Sequence, residues 1–148
     1  MEGSIEECRY ISKYIGIIHR SACTYFSKEF SKFGIGAGQY LFLLNLYENE
    51  NITQEELTEK LKLDKATTAR AIKKLEEEGY VKRIKRESDK RAYSLMLTKK
   101  AKDIQEEVHH IMNEWENIVK DCFTDEEAEE LMHLLDKLIK SSLLLMRN

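Results

Sequence analysis

Apolar side chains recur along this chain in more than one rhythm, and each rhythm predicts a different element. Ile11, Ile15, Ile18, Ala22 and Tyr25 step by four and three residues, drawing one apolar stripe down a helix from about Ile5 to Phe33. Gly34, Gly36 and Gly38 interrupt it, and QYLFLLNLY, from Gln39 to Tyr47, is then apolar nearly all round. Such a helix belongs in the centre of a small domain. Asn49 to Asn51 is a polar loop. Period-two alternation comes later: Val81, Arg83 and Lys85 alternate with Lys82, Ile84 and Arg86, and Ala92 to Leu97 forms a second short strand after the polar turn Glu87 to Lys90. The helical rhythm returns in Ile104, Val108, Ile111, Trp115, Ile118 and Cys122, the spacing of a coiled-coil seam. A last helix carries Leu131, Leu134, Leu135, Leu138, Ile139 and Leu145 on a face too broad to hide on a lone helix.

Polar residues punctuate these runs where helices must begin and end. Thr53 with Glu56 makes a capping box for a short helix from Gln54 to about Leu61. Leu63 and Asp64 form a turn, with Asp64 a good N-cap for a second helix, Lys65 to Glu78, that Gly79 stops. Thr98 can cap the long helix that follows the strands, and Thr124 with Glu127 opens the last one. Two short helices, a tight turn and a two-stranded ribbon spell a winged helix-turn-helix. The predicted fold is mainly α with a small β wing: residues 34–100 form the winged unit, flanked by dimerisation helices over 1–33 and 101–148.

Composition bounds the class of protein. A chain of 148 residues, 42% hydrophobic, can bury a real core. It has no proline and only six glycines, consistent with long helices. No stretch approaches the roughly 20 apolar residues of a membrane span, and MEGSIEEC lacks the order of a secretory signal, so the expected location is the cytoplasm. Three widely spaced cysteines, Cys8, Cys23 and Cys122, argue against a disulfide framework.

Charge changes the picture more. Residues 62–100 hold thirteen Lys and Arg against six Asp and Glu, a local excess of seven positive charges. Of the chain's 24 basic and 27 acidic residues that leaves eleven against twenty-one elsewhere. A polyanion is attracted to one region and repelled by the rest. On a helical wheel for residues 65–78, Thr68, Ile72 and Leu75 face inward, while Ala66, Thr67, Arg70, Lys73, Lys74 and Glu77 face out. A small, hydroxylated, basic face suits a major groove, where Arg70 can offer two donors to a guanine edge. Lys65, Lys73 and Lys74 are placed for phosphates. Asp89, Lys90 and Arg91 put cations at the tip of the ribbon, and the stretch from Arg86 to Arg91 fits a minor groove. Asp89 needs a partner beside phosphates, with Arg91 or Arg70 the expected one. Thr53 and Gln54, at the start of the first helix of the pair, complete the candidate contacts.

The segments TTARAIKKLEEEGYVKR and ESDKRAYSLMLTKKA, together with IGAGQYLFLLNLY, resemble the signature of the MarR family of winged-helix transcriptional regulators across about residues 34–101. The resemblance implies a homodimer whose recognition helices enter successive major grooves of a pseudo-palindromic operator, each wing in the adjoining minor groove. It places Thr67 and Arg70 at base-reading positions and Asp89 and Arg91 at the wing tip, and it implies a repressor released by a signal. Ala101 stands where the family usually has glycine, and Gly36 where a capping threonine is common.

The signal has several candidates. Family precedent favours a small aromatic or phenolic effector, for which Tyr10, Tyr14, Phe26, Tyr40 and Trp115 could line a pocket. A thiol sensor is the second reading: alignment on Gln39 puts the family's reactive position at Ser12, with Cys8 one turn earlier beside Arg9 and Lys13. A metal is the third, with His19, His109, His110, His133, Cys23 and Cys122 as ligand types but no tight spacing such as HxxxH. No cofactor is expected. A protein-interaction module is the alternative function, and an enzyme is disfavoured by the lack of a Gly-rich phosphate loop, HExxH or nucleophile elbow.

Overall fold

A computed structural model describes residues 9–146. Its elements are α1 (Ile11–Phe30), a single 3-10 turn (Ser31–Phe33), α2 (Tyr40–Glu48), β1 (Ile52–Thr53), α3 (Gln54–Leu61), α4 (Lys65–Glu77), β2 (Val81–Lys85), β3 (Tyr93–Leu97), α5 (Lys99–Asp103), α6 (Gln105–Lys120) and α7 (Asp125–Leu144). The chain divides into two compact units after Ile111. Ile5 and Cys8 lie outside the described residues.

The predicted caps are formed. The Thr53 hydroxyl accepts from the Glu56 N–H at 3.1 Å while the Glu56 carboxylate accepts from the Thr53 N–H at 2.7 Å. Thr124 and Glu127 repeat the box at the start of α7. Gly79 adopts φ +81°, the left-handed conformation that ends α4 without a Cβ penalty. Gly34, at φ +69°, is also a close approach, since a Cβ there would meet a Glu78 carboxylate oxygen at 2.7 Å. Replacing Thr53 by alanine is expected to lower stability by about 1 kcal/mol, read as a shift of the urea midpoint at unchanged slope.

Three elements differ from the sequence reading. α1 begins at Ile11 and ends at Phe30, with residues 31–33 tightened into the 3-10 turn. A two-residue strand, β1, joins the ribbon, so the sheet has three strands in the order β1-β3-β2, all antiparallel. The helix capped by Thr98 breaks at Ile104 (φ −99°, ψ 0°) into α5 and α6, and Cys122 lies beyond the end of α6. The apolar rhythm runs straight through Ile104, which is why spacing alone could not show the break.

The core of the first unit gathers the helix faces on the sheet. Phe30, Leu43, Leu46, Leu57, Ile72 and Val108 are fully buried. Two phenols tie it to distant backbone: Tyr80 donates to the Phe33 carbonyl at 2.5 Å and Tyr47 to the Ala101 carbonyl at 2.6 Å. Burial pushes both hydroxyls up from their ordinary pKa, so they stay protonated donors. Ala101 itself is completely buried. By contrast the α1 stripe lies open, with Ile11, Ile15 and Ile18 between 45% and 64% exposed. In the second unit Leu134, Leu135 and Ile139 of α7 are likewise exposed.

Candidate nucleic-acid interface

The site is built outward from the start of α4. Asp64 has extended backbone and receives the Thr67 N–H on Oδ1 at 2.8 Å and the Thr67 hydroxyl on Oδ2 at 2.6 Å. Arg70 donates from a guanidinium nitrogen to the Thr67 hydroxyl oxygen at 3.3 Å. Asp64, Thr67 and Arg70 therefore form one hydrogen-bonded row along the first turns of the helix. Thr68, Ala71, Ile72 and Leu75 are buried beneath it, while Lys65, Ala66, Arg70, Lys73 and Lys74 are exposed. The wheel's two faces are thus the faces of the folded helix.

The wing is anchored at two points. Arg83 pairs with Glu76 at 3.0 Å, holding β2 against α4. Arg86 turns inward: its Nε donates to the Ser94 hydroxyl at 2.9 Å, and its NH2 to the Asn51 carbonyl at 3.0 Å and to Glu56 at 3.3 Å. Of the candidate stretch Arg86 to Arg91, Arg86 is therefore the member that also braces the ribbon, with three partners inside the fold. Asp89 corrects an expectation. Its carboxylate accepts the backbone N–H of Arg91 at 3.0 Å and, among the described residues, pairs with neither the Arg91 nor the Arg70 guanidinium. The turn is closed by the Ala92 N–H on the Asp89 carbonyl at 3.0 Å. That leaves the side chains of Lys90 and Arg91 exposed at the tip.

A cleft of about 450 Å³ opens between the start of α3 and the wing, and it brings together Thr53, Gln54, Lys65, Asp89 and Arg91. Gln54 lines it with an Oε1 that is buried and has no hydrogen-bond partner. Sequence reasoning missed Asp64, whose role as a cap was legible but whose grip on the Thr67 side chain was not. It also missed Arg83 and Glu76, seven residues apart, a separation with no local meaning.

Both caps are more acidic than ordinary carboxylates. Asp64 is lowered first by the Thr67 hydroxyl and then by the Thr67 N–H. Glu56 is lowered first by the Thr53 N–H, with Arg86 adding to it. A carboxylate with a lowered folded pKa stabilises the fold above its unfolded pKa and loses that contribution as pH falls through the folded value. Acidification through and below about pH 4 should therefore lower the thermal midpoint of the wild type more than that of a Glu56→Gln, Asp64→Asn double variant.

The other candidates separate. Phe26 and Tyr40 pack ring on ring, centroids 4.5 Å apart, with Phe26 buried in the core, whereas Tyr10 and Tyr14 are exposed. Burial, with Cys23 adding to it, raises the Tyr40 hydroxyl. Trp115 lies in the second unit, half-buried. Within the first unit the structure thus makes Phe26 and Tyr40 neighbours. Of the metal candidates, His19 and Cys23 come together, with Nε2 3.5 Å from Sγ one helical turn away. Their four-residue spacing was the overlooked signal. Cys122 donates to the Val119 carbonyl at 3.3 Å. Among the described residues no group of three or more His, Cys, Asp and Glu is placed to hold a metal.

A helix pair whose second member presents an exposed basic face, followed by a three-stranded sheet with a cationic tip, defines a winged helix-turn-helix protein. Residues 35–93 match the model of the MarR family. The chain is 35% identical over 131 residues to the uncharacterized HTH-type transcriptional regulator YybA of Bacillus subtilis strain 168, covering 88% of this chain and 87% of that protein. A crystal structure of a MarR transcriptional regulator from Methanosarcina mazei Go1 superposes with a TM-score of 0.82 at 39% identity, over 91% of this chain and 97% of that one. A MarR family transcriptional regulator from Listeria monocytogenes complexed with a 26mer DNA gives 0.83 at 28% identity, over 90% and 89%. The chain belongs to the MarR family of transcriptional regulators. No helix among the described residues is long and apolar enough to cross a membrane.

Proposed function

We propose that the protein is a homodimeric, sequence-specific DNA-binding regulator that represses by occupying a pseudo-palindromic operator. The observation that carries this reading is the exposed cationic face of α4, ordered at its start by Asp64, in the same unit as a wing whose tip exposes Lys90 and Arg91. Arg70 and Thr67 face base edges; Lys65, Lys73 and Lys74 meet phosphates; Arg91 enters the minor groove. Thr53 and Gln54, lining the cleft beside the wing, approach the backbone from α3. Residues 34–100 serve as the reading head, and residues 1–33 and 101–148 pair two copies. In keeping with that division, the apolar faces left open on α1 and on α7 are what a two-fold partner would cover. A small aromatic effector releases the DNA, and of the five candidate rings Tyr10 and Tyr14 are exposed.

The test is an operator titration as a function of salt, on a duplex selected from genomic fragments with and without candidate phenolics. Log affinity should fall linearly with log salt, by about 0.9 per phosphate neutralised. A flat response would instead favour a winged-helix protein-interaction module. Arg91→Ala should weaken binding by roughly 1 to 3 kcal/mol, and an unchanged affinity would remove the wing from the groove.

A further inference from the structure

Thr67 occupies a reading position with its hydroxyl already committed inside the protein. At neutral pH Asp64 is an anion and has no proton to give, so in the 2.6 Å contact the threonine must be the donor. The same oxygen accepts from Arg70 at 3.3 Å. A hydroxyl has one proton and two lone pairs; here the proton and one lone pair are engaged within the row. Turning the hydroxyl toward a base would break a charge-assisted bond, a loss of roughly tenfold or more in affinity. With its proton committed, the hydroxyl can donate neither to a purine N7 nor to thymine O4; what the side chain still offers a base edge is one lone pair and the Cγ2 methyl, and of these only the methyl distinguishes thymine. In the major groove thymine alone among the four bases presents a methyl group.

We propose that Thr67 reads DNA through its methyl, selecting a thymine C5-methyl by apolar contact, and that Asp64 is the positioning residue that enforces this mode by holding the hydroxyl away. The inference rests on the DNA-binding reading above and adds to it a base identity and a residue that touches no DNA.

Asp64→Asn supplies a sensitive probe of that arrangement. An asparagine can still cap the Thr67 N–H with its carbonyl oxygen, but it then turns its amide N–H₂ toward the Thr67 hydroxyl. The hydrogen bond reverses, and the hydroxyl proton becomes free to donate to a purine N7.

The experiment selects duplexes from a random-sequence pool with wild type, Thr67→Val, Thr67→Ser and Asp64→Asn, then re-synthesises the best wild-type duplex with deoxyuridine at one thymine at a time. Wild type should lose about fourfold in affinity at one thymine per half-site, the value of a single buried methyl. Thr67→Val, which keeps the Cγ2 methyl, should select the same sequence and retain the deoxyuridine penalty. Thr67→Ser should lose that penalty. Asp64→Asn should admit purines at the same position, a change of base preference that a merely structural defect would not produce. Thermal melts confirm that each variant is folded. A wild type indifferent to every deoxyuridine overturns the proposal, as does a folded Thr67→Val that selects a different base. A wild type that enriches no sequence at all overturns the DNA-binding reading and the inference with it.

Discussion

Replacing Ile15 and Ile18 by glutamate is expected to give a folded monomer that has lost most of its affinity for the operator. The two side chains are 45% and 61% exposed, so neither supports the core of its own subunit. Burying them fully would contribute about 1.5 to 3 kcal/mol each relative to full exposure. Only about half of each remains to be buried, and a two-fold interface counts every substitution twice. The apolar loss alone is then on the order of 3 to 6 kcal/mol, or roughly a hundredfold to ten-thousandfold in the dimer dissociation constant. Desolvating four carboxylates adds to it. Sedimentation at micromolar concentration should show the monomer, with the far-ultraviolet dichroism of the wild type. Operator binding should fall by about two to four orders of magnitude, because one recognition helix and one wing lose the linked second half-site. A variant that still sediments as a dimer would show that the α1 stripe is not the pairing surface and direct attention to the exposed Leu134, Leu135 and Ile139 of α7.

The features legible in the sequence are those whose cause is local. A capping box needs two residues three apart, and both boxes formed, at Thr53 with Glu56 and at Thr124 with Glu127. Asp64 as N-cap, Gly79 as stop and the two faces of α4 are equally local, since a helix's periodicity decides which side chains share a side. What escaped depends on residues far apart in the chain. β1 is two residues long and exists because Ile52 and Thr53 meet Leu95 and Ser94. Arg86 looked like one more wing cation among several; its orientation is decided by Asn51, Glu56 and Ser94, and only the folded ribbon brings those three together. Asp89 shows the same limit at short range. Charge reasoning offered it two guanidiniums, but the tight turn presented the Arg91 backbone N–H first. In the reading head, residue types could be assigned to a face from sequence, whereas which donor was already satisfied could not.

The strongest contrast is expected between two neighbours on α4, Arg70 and Ile72. Ile72 has no exposed surface, and its replacement by alanine removes buried methylenes and leaves a cavity under the helix. Such changes cost about 2 to 5 kcal/mol, a large share of the 5 to 15 kcal/mol that typically holds a domain together. The unfolding midpoint should drop sharply, while whatever fraction stays folded keeps its contact face. Arg70→Ala should do the reverse. Its guanidinium is exposed, and among the described residues it donates to the Thr67 hydroxyl at 3.3 Å. Stability should therefore move by no more than about 0.5 kcal/mol. On DNA the same guanidinium is placed for a bidentate contact with guanine worth about 1 to 3 kcal/mol, present once in each half-site. The dimer should lose about 2 to 6 kcal/mol, or roughly thirtyfold to more than ten-thousandfold in affinity, with the preference for guanine relaxed at that position. Lys73→Ala serves as the reference for a phosphate contact: binding should weaken evenly across sequences and the salt slope should shrink by about one per copy. If Arg70→Ala behaves like Lys73→Ala, the arginine neutralises phosphate and the reading falls to Thr67. If instead it leaves affinity untouched while Ile72→Ala still unfolds the protein, the outer face of α4 does not enter the groove, because the helix would then have been shown intact and the arginine idle.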